Sequence, residues 1–149
     1  MTIVSPVDGD LVDPDWAASI TDAVNRILSA DKASVATSQS TTSAAYTDLA
    51  TVGPAVTVMT GSRALVFIAA DMGNGTGWAR MSVAVSGATT IAASDGERAL
   101  SHTASFLSRF GITILELALN AGSNTFTAKY KATAGTSTFA DRTIIVVSL

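Results

Sequence analysis

Thr125-Phe126-Thr127-Ala128-Lys129-Tyr130-Lys131-Ala132 alternates without a break, with apolar or small side chains at even numbers and hydroxyl or ammonium groups at odd ones. Successive side chains of a strand point to opposite faces, so this period of two reads as a strand with one dry and one wet side. Met81, Val83 and Val85 repeat the pattern. Working outward, short β-branched runs recur at 46–52, 55–60, 64–70, 79–86, 97–107, 112–120 and 138–149. Turn signals separate them: Gly53-Pro54, Gly61-Ser62, Gly73-Asn74-Gly75-Thr76-Gly77, Ser86-Gly87, Ser94-Asp95-Gly96, Gly111, Asn120-Ala121-Gly122 and Gly135. Eight strands at this spacing predict a mostly β chain folded as an antiparallel sandwich or barrel. The intervals are too short for the crossover helices that a parallel sheet requires.

Two runs break the alternation. Ile112-Thr113-Ile114-Leu115-Glu116-Leu117-Ala118-Leu119 and Thr143-Ile144-Ile145-Val146-Val147-Ser148-Leu149 carry apolar residues on both faces. A small sandwich covers one face of an outer strand; a second apolar face asks for a second cover, most economically another subunit. Ile112, Ile114, Ile145, Val147 and Leu149 are the expected subunit-interface residues. Loops or the N-terminal helix are the alternative cover.

The first thirty residues have a different texture. Asp8, Asp10, Asp13, Asp15 and Asp22 are offset only by Arg26. Asp13-Pro14-Asp15 is a helix start, with Asp13 as N-cap, Pro14 at the first helical position and Asp15 favoured by the helix dipole. Trp16, Ile20, Val24, Ile27 and Leu28 then share one helical face. The spacing predicts an amphipathic helix over about 14–30, too short to stand alone in water, so its stripe must dock on something. Residues 33–45 are almost purely small and polar and read as a linker or an extended edge segment. The expected organisation is an attachment segment over 1–32, a linker over 33–45 and a β domain over 46–149.

Composition narrows the function classes. The 149 residues are 48% hydrophobic and 14% charged. The longest apolar run, Ala64 to Ala70, has strand length, so no membrane span is expected. The formal net charge of -3 argues against a duplex-binding surface, which needs a basic excess. With no cysteine there is neither a disulfide framework nor a thiolate metal site. Met1-Thr2-Ile3-Val4-Ser5-Pro6 lacks the basic and apolar regions of a classical secretion leader.

Catalytic constellations are thin. His102 is the one histidine, no Gly-x-Ser-x-Gly elbow is present, and Ser101-His102-Thr103 falls within a strand. Asp8-Gly9-Asp10 fails the EF-hand spacing, because Val12 and Ser19 stand where ligands are needed. Asp71, Asp95, Glu97, Glu116 and Asp141 could pair for glycoside cleavage, but nothing in the spacing brings two together. The glycine-rich stretch 73–77 has no following lysine or helix to cradle phosphate. Asn74-Gly75-Thr76 fits a glycosylation sequon, which means little without a secretory route. Asn74, Trp78, Asp95 and Glu97 remain the candidate ligand loop residues, with Arg80 beside them; a tryptophan there can stack on a sugar or anchor a partner, but core or subunit-interface packing is the expected role of Trp78. No catalytic residue, metal or cofactor is expected.

Leu119-Asn120-Ala121-Gly122-Ser123-Asn124-Thr125-Phe126 continuing to Tyr130, then Gly135-Thr136 and the closing Arg142-Thr143-Ile144-Ile145-Val146-Val147-Ser148-Leu149, resembles the TNF-like or C1q-like jelly-roll domains of bacteriophage virion surface proteins. Such proteins include tail-fibre tips, minor tail proteins and head decorations. Gly9-Asp10-Leu11-Val12, Trp16 and Ile20-Thr21-Asp22-Ala23-Val24-Asn25 are similar to the start of short phage tail or fibre proteins. The resemblance covers about 10–32 and 46–149. It implies an eight-stranded jelly roll, a homotrimer around a threefold axis, and attachment through Trp16, Ile20, Val24, Ile27 and Leu28. No shaft repeats precede the β domain, so a short spike or decoration fits as well as a fibre. The expected function is thus a non-enzymatic structural protein of a phage particle, located on the virion, with other copies of itself and capsid or tail proteins as partners. A receptor- or carbohydrate-binding module facing a host glycan is the alternative.

Overall fold

The computed structural model describes residues 14–28, 30–96 and 98–149. Helix α1 (Pro14–Leu28) is followed by β1 (Ala30–Val35), β2 (Gln39–Thr41), β3 (Ala55–Thr60), β4 (Arg63–Gly73), β5 (Ala79–Gly87), β6 (Leu100–His102), β7 (Ser108–Ala118), β8 (Gly122–Ala132) and β9 (Ser137–Ser148). One sheet runs β1-β9-β4-β7, with short β2 also on β9, and the other runs β3-β8-β5-β6. Every pairing between these strands is antiparallel. The two orders are those of a jelly roll, in which sequence neighbours such as β3 and β4 lie in opposite sheets.

The β8 alternation is realised as read. Phe126, Ala128 and Tyr130 are fully buried and Ala132 nearly so, while Thr125, Thr127, Lys129 and Lys131 are half-buried on the outer face. The core is the shared inner face of both sheets: Val66, Ile68, Met72, Met81, Val83, Phe126, Tyr130, Phe139, Ile144 and Val146. Arg142 is also fully buried; its guanidinium lies 5.3 Å from the Tyr130 ring and donates to the carbonyls of Gly53 and Thr37 and to Gln39 Oε1. These bonds fasten the chain between β1 and β3 to the body.

Three boundaries differ from expectation. The helix ends at Leu28, and Ala30-Asp31-Lys32 instead open β1, opposite Val147, Val146 and Ile145. Ladder bonds along the free edge of β9 outweigh another helical turn of exposed polar residues. Residues 33–45, by contrast, follow the extended-edge reading: they contain the end of β1 and all of β2, both paired to β9. Residues 46–52 form no strand beyond one bridge, Thr47 with Tyr130; Asp48 pairs there with Lys129 of β8 and Leu49 is buried in the core. The 97–107 run shortens to β6: residues 88–96 make one bridge to the sheet, Ile91 with Val85, and Ser94 is bonded to buried Ser82. Nine strands therefore stand among the described residues, eight of them making up the jelly roll.

Candidate functional site

The strand directions give the sandwich two distinct ends. Segments 74–78, 103–107 and 133–136 cluster at one end, while the 61–62, 88–99 and 119–121 connections start from the other. Ala30 is paired with Val147, two residues from Leu149, so α1 joins the body at the end opposite the 74–78 loop. Among the described residues no helix is long and apolar enough to cross a membrane, and no cluster of potential metal ligands occurs.

Asn74 is the scaffold of the loop end. It is 2% exposed, and its Nδ2 donates to Ala134 O at 2.9 Å and to Ser137 Oγ at 2.8 Å. Its Oδ1 accepts from the backbone N–H of Thr76 and of Gly77 at 2.9 and 2.8 Å. Its own backbone N–H donates to Ala104 O at 2.7 Å, so three loops are tied through one residue. The amide that a sequon would present is consumed inside the fold.

Trp78 is held by its backbone, donating to Thr133 Oγ1 at 2.8 Å and accepting from Ser137 Oγ at 3.3 Å. Trp78 is 46% exposed, so it does not fill the core of its own chain. The Arg80 guanidinium lies 6.0 Å from the ring centroid and pairs with Asp95 Oδ2 at 2.7 Å. Asp95 also accepts from Lys131 Nζ, and from Tyr46 Oη at 2.9 Å. These partners, the Lys131 bond foremost, hold its carboxyl at about 2, below the usual carboxylate range, although burial works the other way. Burial pushes the Tyr46 phenol well above its ordinary value, and its bond to Asp95 pushes in the same direction. Next along the face, Lys129 Nζ lies 2.8 Å from both Asp48 oxygens.

The structure thus connects Asn74, Trp78 and Asp95 in a chain through Ser137 and Arg80, and Glu97 lies outside the described residues. Sequence reading singles out Arg80 beside Asn74 and Trp78; Tyr46 and Lys131 escape it. The signal for the lysine was present: a cation on the wet face of β8 needs an anion or water.

The opposite outer face, on the five-stranded sheet, is apolar in one half. Leu65 stands opposite Val147 and Phe67 opposite Ile145, all four half-buried. Its other half is polar, where Arg109 pairs with Asp71 at 3.5 Å and donates to Asp141 O at 2.9 Å. Leu149 is 43% exposed. Ile112 and Ile114 sit opposite Ile68 and Val66 in the β4–β7 register, and their side chains lie outside the described part. On α1, Trp16 and Ile20 are half-buried and Val24 is 45% exposed; the side chains of Ile27 and Leu28 lie outside the described part. The helix lies close to β9.

No protein-family model matches the chain, and no curated protein does. Among solved structures, the chain is similar to the CBM36-1 domain of a multidomain xylanase from the hindgut metagenome of Trinervitermes trinervoides. The identity is 12% and the TM-score 0.41, over 77% of this chain and 96% of that one. That likeness is to another β-sandwich and carries no functional argument.

Proposed function

We propose that the chain is a non-enzymatic structural protein of a bacteriophage particle, surface-exposed, homotrimeric and attached through its N-terminal segment. The observation that carries the proposal is the outward stripe of Leu65, Phe67, Ile145 and Val147 on a sheet whose inner face already makes the core. Half-buried hydrocarbon beside a buried hydrophobic layer gains most by meeting a like surface, and a second copy supplies one. Val24, 45% exposed on the helix stripe, supports a docking role for α1 outside its own chain. The polarity of the sandwich agrees with this: attachment at the α1 end leaves the 74–78, 103–107 and 133–136 loops facing away from the particle.

The described titratable groups support a non-catalytic reading. Asp48, Asp71 and Asp95 are each committed to cations, and the His102 ring packs 4.3 Å from that of Phe110. Sedimentation or light scattering tests the assembly: a species three times the 15.1 kDa chain mass is expected, and a clean monomer overturns it. Removing residues 1–32 is expected to abolish binding to particles, and unchanged binding contradicts the attachment role. A second reading, recognition of a carbohydrate receptor, is favoured by one observation, the half-exposed Trp78 ring at the free loop end.

A further inference from the structure

The outer face of the four-stranded sheet carries a cluster that neither the core nor self-association uses. β5, β8 and the 88–99 segment gather Arg80, Arg98, Lys129 and Lys131 there, in a chain whose formal net charge is -3. Among the described residues, Asp48 is taken by Lys129 and Asp95 alone faces both Arg80 and Lys131. One carboxylate against two cations leaves a positive surplus, and Arg80 Nε is buried without a hydrogen-bond partner. Arg80 projects to this outer face between buried Ala79 and Met81, and its guanidinium lies 6.0 Å from the indole centroid of Trp78, the residue just before β5. A flat apolar surface and a cationic surplus therefore adjoin.

An indole face stacks on the C–H face of a pyranose ring, and a guanidinium binds a carboxylate through directed, charge-assisted hydrogen bonds. We infer that this face binds a carboxylate-bearing sugar, a uronate unit of a surface polysaccharide, with its ring on Trp78 and its carboxylate toward Arg80 and Lys131. One added negative charge matches the surplus at Asp95. A polyphosphate chain would run its further charges onto Asp48 and Asp95, which disfavours it.

The inference rests on the carbohydrate-recognition reading and names its ligand class. The test is an NMR titration of the full chain with tetragalacturonate and with its carboxyl-reduced neutral counterpart, followed at the two tryptophan indole N–H signals. The Trp78 signal is expected to move with the acidic probe, the Trp16 signal to stay. Binding of the acidic probe is expected to fall about tenfold or more in Trp78→Ala and in Arg80→Gln. If Arg80→Gln perturbs the fold, the wild-type comparison between probes still decides. Equal affinity for both probes at Trp78 overturns the acidic specificity while leaving carbohydrate recognition standing. No movement with either probe, or tighter binding of a glycerol-phosphate oligomer, overturns the inference.

Discussion

Tyr46 and Tyr130 are the 2 tyrosines of the chain, and each gives its hydroxyl proton to a protein acceptor, Asp95 Oδ1 and Gly53 O respectively, at 2.9 Å. Burial pushes both phenols above their ordinary value, and the Arg142 guanidinium beside Tyr130 opposes this only in part. A group whose folded pKa is raised stabilises the fold below its unfolded value, here 10.0, and loses that contribution as pH rises further. Phenolate absorbance should therefore stay flat through pH ~10 and rise only with loss of the near-ultraviolet circular dichroism. A reversible phenolate step near the ordinary value, with the fold intact, contradicts this. Tyr130→Phe should cost about 1–2 kcal/mol in denaturant unfolding, since it leaves Gly53 O with only the longer bond from Arg142. Asp95 titrates in the opposite sense. Its lowered carboxyl stabilises the fold above the unfolded value of 3.8, and that contribution fades as pH falls toward about 2. Its side chain is 42% exposed, so solvent screening keeps the effect small. Asp95→Asn should flatten the acid limb of the stability curve slightly, and an unchanged limb would place the acid sensitivity elsewhere.

At the level of elements, Asn74 decides the loop end. Asn74→Ala removes five side-chain hydrogen bonds, from Nδ2 to two acceptors and to Oδ1 from two N–H groups and the Thr76 hydroxyl, and should cost about 2–4 kcal/mol. Hydrogen exchange should show the 74–77 and 133–137 amides losing protection first. If the loss is spread evenly over the sandwich, Asn74 is not the local staple described. The strands that sequence reading places well are those whose own side chains settle the matter. β8 and β5 alternate because one face meets core and the other meets water. Residues 30–41 carried no such signal: Ala, Ser and Thr have little periodicity to read, and they are strands because β9 offers an unpaired edge. The same distinction holds at the site. Trp78 and Asp95 could be singled out as loop residues, but the Tyr46 partner of Asp95 is 49 positions away and the Lys131 partner 36, joined only by the fold. Gly87 shows the reverse case, in which residue type alone was informative: its φ of 111° and the close approach of Ser123 O leave no room for a Cβ.

For the whole molecule, neighbouring residues of β9 face opposite ways, which separates folding from assembly. Ile144 stands opposite Ile68 on the inner face, and Ile145 opposite Phe67 on the outer one. Ile144 is fully buried, so Ile144→Ala should cost about 2–5 kcal/mol through lost burial and the cavity left behind. Ile145 contributes less to the single chain because its outer side already meets solvent or the nearby helix. Ile145→Asp should therefore leave the circular dichroism and the unfolding midpoint of the isolated subunit little changed. At a packed threefold interface, however, the substitution sets an unpaired carboxylate against apolar partners in each of the copies, a cost that removes the advantage of association. The expected outcome is a folded Ile145→Asp monomer from a trimeric wild type, with Phe67→Glu behaving alike because the two side chains are cross-strand neighbours. A trimer that survives both substitutions would mean that the copies meet through some other surface, and the outward stripe would then be left to α1.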